Sequence, residues 1–158
     1  MVDPALGPKA KPEDKRILII DDDESILLLM KTTFDIEGFQ VRTAKDGREI
    51  IKIAAEFKPH LIITDLMMPG SGGYDVLRSL QGDPLTSKVP VVLVTGSHMN
   101  SSTKDLLKQE SNLAGYFEKP VRPETLTRHV HKLLNTISLA ELRAQSSKDV
   151  PINFNDVF

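Results

Sequence analysis

The sequence predicts an α/β fold: a five-stranded parallel sheet, doubly wound, with helices on both faces. Strand-like apolar runs alternate with helix-like segments five times, an order that calls for right-handed crossovers and a parallel sheet. Three runs, Ile17-Leu18-Ile19-Ile20, Leu61-Ile62-Ile63-Thr64 and Val89-Pro90-Val91-Val92-Leu93-Val94, are nearly continuous in apolar residues, as strands covered on both faces are. Two of them run straight into acids, Asp21-Asp22-Asp23 and Asp65, so carboxylates gather at one end of the sheet.

The elements follow in order. Residues 1–14 carry Pro4, Pro8 and Pro12 and read as a disordered leader. Arg16–Ile20 is the first strand. Glu24–Glu37 is a helix, with Ile26, Leu29, Met30 and Phe34 at helical spacing and Gly38 as its stop. Phe39–Thr43 alternates apolar with polar as a second strand, and Asp46–Phe57 is a helix facing inward through Ile50, Ile53, Ala54 and Phe57. Lys58-Pro59-His60 breaks it. Leu61–Thr64 is the third strand, Met68–Gly73 a loop, and Tyr74–Leu80 a helix with Val76, Leu77 and Leu80 inward. After a loop to Lys88 come the strand Val89–Val94, a helix Ser101–Glu110 poor in apolar residues, and the strand Ala114–Glu118. Pro123 opens the fifth helix as an N1 proline, with Leu126, Val130, Leu133, Leu134 and Ile137 toward the core. The folded domain is expected over 15–140. Residues 141–158 form a tail that loses periodicity from about 144, and a disordered remnant is the preferred reading of its Phe154, Val157 and Phe158 over docking on a partner or back on the domain.

Composition excludes several classes. The chain has 158 residues, the size of one domain with tails. A net charge of −2 gives no basic face for bulk attraction to nucleic acid. With no cysteine, disulfides and thiolate metal sites are out, and a cytoplasmic, reducing setting is expected. No apolar stretch approaches a membrane span, and residues 1–15 lack the hydrophobic segment of a signal peptide.

Ligands of an open α/β sheet bind beyond the carboxyl ends of its strands. There the first strand presents Asp21 and Asp22, the third Asp65, the fourth Thr95 and the fifth Lys119. Clustered carboxylates resist full ionisation unless a cation neutralises them. Oxygen donors without His or Cys suit a hard ion, and Mg²⁺ fits best. A carboxylate beside Mg²⁺ can attack a phosphoryl group and form an aspartyl phosphate. Lys119 supplies an ammonium for the transferring oxygens, and the Thr95 hydroxyl can donate to the product phosphoryl.

Four motifs, Ile17-Leu18-Ile19-Ile20-Asp21-Asp22-Asp23-Glu24, Asp65-Leu66-Met67-Met68-Pro69, Val92-Leu93-Val94-Thr95-Gly96 and Gly115-Tyr116-Phe117-Glu118-Lys119-Pro120, stand in that order. Over residues 15–140 the chain resembles the receiver domain of bacterial two-component response regulators, of the stand-alone chemotaxis type. The resemblance implies a flavodoxin-like (βα)5 fold with strand order 2-1-3-4-5. It implies Asp65 as phosphoacceptor, with Asp21, Asp22, Asp65 and the Met67 backbone carbonyl around Mg²⁺. Lys119 would contact the phosphoryl group, Thr95 and Tyr116 would be the switch pair, and a cis peptide would precede Pro120. A sensor histidine kinase would be the donor, and the only catalysis would be the chain's own phosphorylation and dephosphorylation. Output would pass through the face of the fourth helix, fifth strand and fifth helix, without a DNA-binding module, nucleic acid or membrane. The chain would be a monomer or an activation-dependent homodimer.

Some residues depart from the family pattern. Gly72 stands where an acid is usual, Gly96 where Ala is common, and Arg122 where an Asp often caps the fifth helix. Asp23 is expected to cap or charge the first helix rather than bind metal. His129 and His131, two apart on a helix, face different ways and are not expected to share a metal. Met67, two past Asp65, offers no group to orient attacking water, so self-dephosphorylation should be moderately slow. Rival readings are weaker. A Mg²⁺-dependent phosphatase needs a second acid just after Asp65, and Leu66, Met67 and Met68 supply none. A flavin module needs a phosphate loop where Asp21-Asp22-Asp23 would repel it. A constitutive adaptor or a phosphorelay intermediate on the same fold stays open.

Overall fold

The computed structural model describes residues 7–68, 71–96 and 100–149. The strands β1 (Arg16–Ile20), β2 (Gln40–Ala44), β3 (Leu61–Thr64), β4 (Val91–Thr95) and β5 (Leu113–Glu118) form one parallel sheet in the order β2-β1-β3-β4-β5. The helices between them are α1 (Glu24–Glu37), α2 (Ile50–Phe57), α3 (Gly73–Gly82) and α4 (Ser101–Lys108). Helix α5 (Pro123–Leu134) follows β5, and α6 (Leu139–Asp149) follows α5. The fold class and strand order are those the sequence predicts.

Successive strand residues point to opposite faces, so the buried strands divide between two cores. Leu18, Ile20, Ile62, Val91 and Leu93 join Ile50, Ala54, Val76, Leu77, Leu80 and Leu107 on the α2–α3–α4 side. Ile17, Ile19, Leu61, Ile63, Val92 and Val94 join Leu27, Met30, Phe34, Leu126 and Val130 on the α1–α5 side. The parallel register of the ladders brings the strand ends to one rim.

Local signals set most boundaries. Asp23 caps α1, its carboxylate accepting from the Ser25 and Ile26 N–H groups, as expected. Gly38 ends that helix in the left-handed conformation (φ 101°) that glycine adopts without a Cβ penalty. The strand β4 starts at Val91, two residues later than its apolar run, because Pro90 has no N–H to give a ladder.

The face of α1 differs from expectation. Leu27, Met30 and Phe34 are buried, whereas Leu29 is 56% exposed and Leu28 is exposed as well. Five apolar residues in a row, Ile26 to Met30, leave the helical phase undetermined by periodicity.

The chain ends differ too. Residues 7–14, expected as leader, are built into the domain: the Ala10 N–H donates to the Asn135 carbonyl, and the Ala10 carbonyl accepts from the Ile137 N–H. Pro12–Asp14 forms a 3₁₀ turn. Residues 139–149, expected as the end of the domain and a tail without periodicity, form α6. Its first turn is a capping box, with the Ser138 hydroxyl accepting from the Glu141 N–H and the Glu141 carboxylate accepting from the Ser138 N–H. Lys9 pairs with Glu141 across the two segments. The expected loop at Met68–Gly73 carries a short antiparallel pairing, Met67–Met68 with Ser71–Gly72. Expectations for 1–6, Pro69 and Gly70, and for Phe154, Val157 and Phe158, lie outside the described residues. Among the described residues no helix is long and apolar enough to cross a membrane.

Candidate functional site

The sheet order decides what meets at the rim. Strands β1 and β3 are neighbours, with Ile20 in register with Thr64, so the residues following them, Asp21 and Asp65, emerge side by side. Asp21 is fully buried and Asp65 only 7% exposed, while Asp22 is exposed. One carboxylate oxygen from each of the three lies within 4.8 Å of the others. The Lys119 ammonium, delivered from the end of β5, donates to Asp21 Oδ2 at 2.7 Å and to Asp65 Oδ2 at 2.7 Å. The Lys119–Pro120 peptide that follows is cis, and the Lys119 N–H donates to the Thr95 carbonyl at 2.8 Å.

Opposing effects act on these charges. Burial pushes the Asp21 carboxyl above its ordinary value, against the pull of the Lys119 hydrogen bond and of the Asp23 N–H, 2.9 Å from Asp21 Oδ1. Burial works against the Lys119 ammonium as well. Its hydrogen bonds to Asp21 and Asp65 outweigh that, and its pKa is raised. Three carboxylates facing one ammonium leave a surplus of two negative charges when all are ionised, which a divalent cation would match. All the side-chain donors are oxygens, so the set fits Mg²⁺.

The other predicted residues fall around this pocket. Thr95 ends β4, fully buried, and its register partner on β5 is Glu118. Tyr116 lies two residues earlier on the same face, opposite Leu93, and its ring is partly buried against the α2–α3–α4 core. Met67 follows the pocket in the short pairing with Gly72. The structure therefore brings Asp21, Asp22, Asp65 and Lys119 together and sets Thr95 on the adjoining strand.

Sequence reading misses the surroundings of Tyr116. Its hydroxyl donates to Glu118 Oε1 at 3.4 Å, and Lys104 of α4 lies 5.7 Å from the ring centroid and 3.5 Å from the same Glu118 oxygen. The signal was available, since residues two apart on a strand share a face. The histidines do face apart. His129 Nε2 donates to the Ala114 carbonyl at 2.9 Å, and its ring meets Phe117 edge-on. His131 joins Thr136 (2.7 Å) and Glu37 (2.8 Å), and Glu37 Oε2 also accepts the Leu139 N–H at the start of α6.

Comparison with known proteins gives one consistent family. The response regulator receiver domain model matches residues 17–131. Response regulator PleD of Caulobacter vibrioides is 33% identical over 133 residues, covering 84% of this chain and 29% of PleD. The DNA-binding response regulator MtrA of Mycobacterium tuberculosis is 34% identical over 140 residues, covering 88% of this chain and 59% of MtrA. The chain thus spans less than two thirds of either relative. The chemotaxis response regulator CheY4 of Vibrio cholerae superimposes with a TM-score of 0.69 at 28% identity, covering 76% of this chain and 98% of that one. A CheY-like receiver domain protein from Methanospirillum hungatei gives 0.68 at 28% identity, covering 76% and 93%.

Proposed function

The chain belongs to the response regulator receiver domain family, and we propose that it is a phosphorylation-dependent switch whose Asp65 accepts a phosphoryl group from a sensor histidine kinase in the cytoplasm. What supports this reading is one convergence: Lys119 at 2.7 Å from both Asp21 and Asp65, inside a cluster of three carboxylates at the sheet rim.

In the transfer, an Asp65 carboxylate oxygen bonds to phosphorus as the bond from phosphorus to the donor imidazole nitrogen breaks, and the imidazole leaves. Asp21, Asp22, Asp65 and the Met67 carbonyl would hold Mg²⁺, which would supply positive charge for the phosphoryl oxygens. Lys119 exchanges part of its contact with Asp65 for a phosphoryl oxygen, which offsets the charge gained there. The Thr95 hydroxyl donates to the phosphoryl group, and Tyr116 follows Thr95 inward. The face of α4, β5 and α5 then favours a different set of protein partners. This is a shift between two packings, driven by the new charge. Within these residues the output runs through protein contacts, and the only catalysis is the chain's own phosphorylation and dephosphorylation.

The test is incubation with acetyl phosphate and Mg²⁺, comparing the native chain with Asp65→Asn by intact mass. Addition of one phosphoryl group to the native chain alone is expected. No addition to the native chain, or equal addition to the variant, overturns the reading.

A further inference from the structure

We infer that Lys104 and Glu118 clamp the Tyr116 side chain in its resting position and so set how readily a signal at Asp65 reaches the α4–β5 face. The inference rests on the switch reading above and adds two positioning residues to it.

The geometry comes from the end of β5. Glu118 and Lys119 are consecutive, so their side chains leave opposite faces of the sheet. Lys119 reaches the carboxylates of Asp21 and Asp65. Glu118, in register with Thr95, turns to the face that carries Tyr116 and α4. A single oxygen, Glu118 Oε1, receives both the Tyr116 hydroxyl at 3.4 Å and the Lys104 ammonium at 3.5 Å. The same ammonium lies 5.7 Å from the Tyr116 ring centroid, within range of a cation–π attraction. Tyr116 is thus held at its tip by a carboxylate and over its face by a cation, and the two holders are paired with each other.

Moving the ring toward Thr95 separates the hydroxyl from Glu118 and the ring from Lys104. The clamp therefore favours the resting packing, and its strength is that of partly exposed charge contacts rather than a lock. The Tyr116 hydroxyl is itself harder to ionise than an ordinary tyrosine, through burial first and then the Glu118 charge and hydrogen bond, which agrees with close contact to that carboxylate.

The test is a titration with beryllofluoride, an inert phosphoryl mimic, in the presence of Mg²⁺, following amide shifts of α4 and β5 by NMR. Glu118→Ala and Lys104→Met should each lower the half-saturating concentration roughly twofold to fivefold, since exposed charge pairs are worth little more. Lys108→Met, on the same helix, is the control and should match the native chain. In a Tyr116→Phe background the Glu118→Ala effect should shrink, because the hydroxyl that Glu118 holds is gone and only its pairing with Lys104 remains. Half-saturation unchanged in Glu118→Ala, or a drop undiminished in Tyr116→Phe, refutes the clamp. Absence of any shift in the native chain, together with no mass gain from acetyl phosphate, instead overturns the switch reading and the clamp with it.

Discussion

Replacing Lys119 with Met keeps an unbranched side chain, one heavy atom shorter, and removes its charge, leaving Asp21, Asp22 and Asp65 to face one another without the ammonium now 2.7 Å from two of them. Removing one partner of a fully buried ion pair costs roughly 3–5 kcal/mol. Here the Lys119 side chain is 19% exposed and Asp22 is open to water, so about 2 kcal/mol is the expected loss at neutral pH in chelator. With a slope near 2 kcal/mol per molar, that lowers the urea midpoint by about 1 M. The pH dependence has a definite sign. Asp21 already titrates above its ordinary value because of burial, and without the Lys119 hydrogen bond it rises further. An acid whose folded pKa exceeds its unfolded pKa loses stability as pH rises through the folded value. The deficit of Lys119→Met is therefore greatest at neutral pH and shrinks as the pH falls toward the carboxylate range. Millimolar Mg²⁺ should narrow it as well, since a divalent ion replaces the missing positive charge. Urea unfolding of both chains between about pH 8 and pH 4, with chelator and then with Mg²⁺, checks this. A deficit independent of pH and untouched by Mg²⁺ would show that Lys119 acts through packing and not through charge.

Three further outcomes are expected. A Cβ on Gly115 would lie 2.5 Å from His129 Nε2 and 3.1 Å from its Cδ2, so Gly115→Ala must displace the ring from the Ala114 carbonyl and from Phe117. The cost should be about 2 kcal/mol by urea unfolding, and the same change should be nearly neutral in a His129→Ala background. Arg122 occupies the N-cap of α5 without a side-chain hydrogen bond, so Arg122→Asp should add about 1 kcal/mol, read as a rise in melting temperature. Glu141 is held down to about 2, chiefly by the Lys9 hydrogen bond and then by the Ser138 N–H. Because its folded value is depressed, its stabilisation is present above the ordinary 4.5 and is lost as pH falls toward about 2. Amide protection at the start of α6 should fall across that window, and Glu141→Gln should abolish the dependence.

The sequence discloses which residues gather at the rim better than the contacts around them, for a physical reason. Asp21, Asp65, Thr95 and Lys119 are placed by backbone topology: each ends a strand, and parallel strands finish at one rim wherever the side chains of the helices point. An apolar run followed by an acid is enough to read that. The phase of α1 could not be read in this way, because Ile26 to Met30 offer no polar residue to mark the outer face. Helix α6 escaped for the opposite reason. It lacks an apolar stripe, and its anchors are polar and distant in sequence, Glu37 and Lys9, although Ser138 and Glu141 stood at capping-box spacing all along. The surroundings of Tyr116 belong to the same class, since Lys104 and Glu118 matter only once α4 lies against β5. A reaction can be carried by residues that the sheet alone brings together. The contacts that hold a side chain such as Tyr116 depend on how elements pack, as those of Lys104 of α4 and Glu118 of β5 do here.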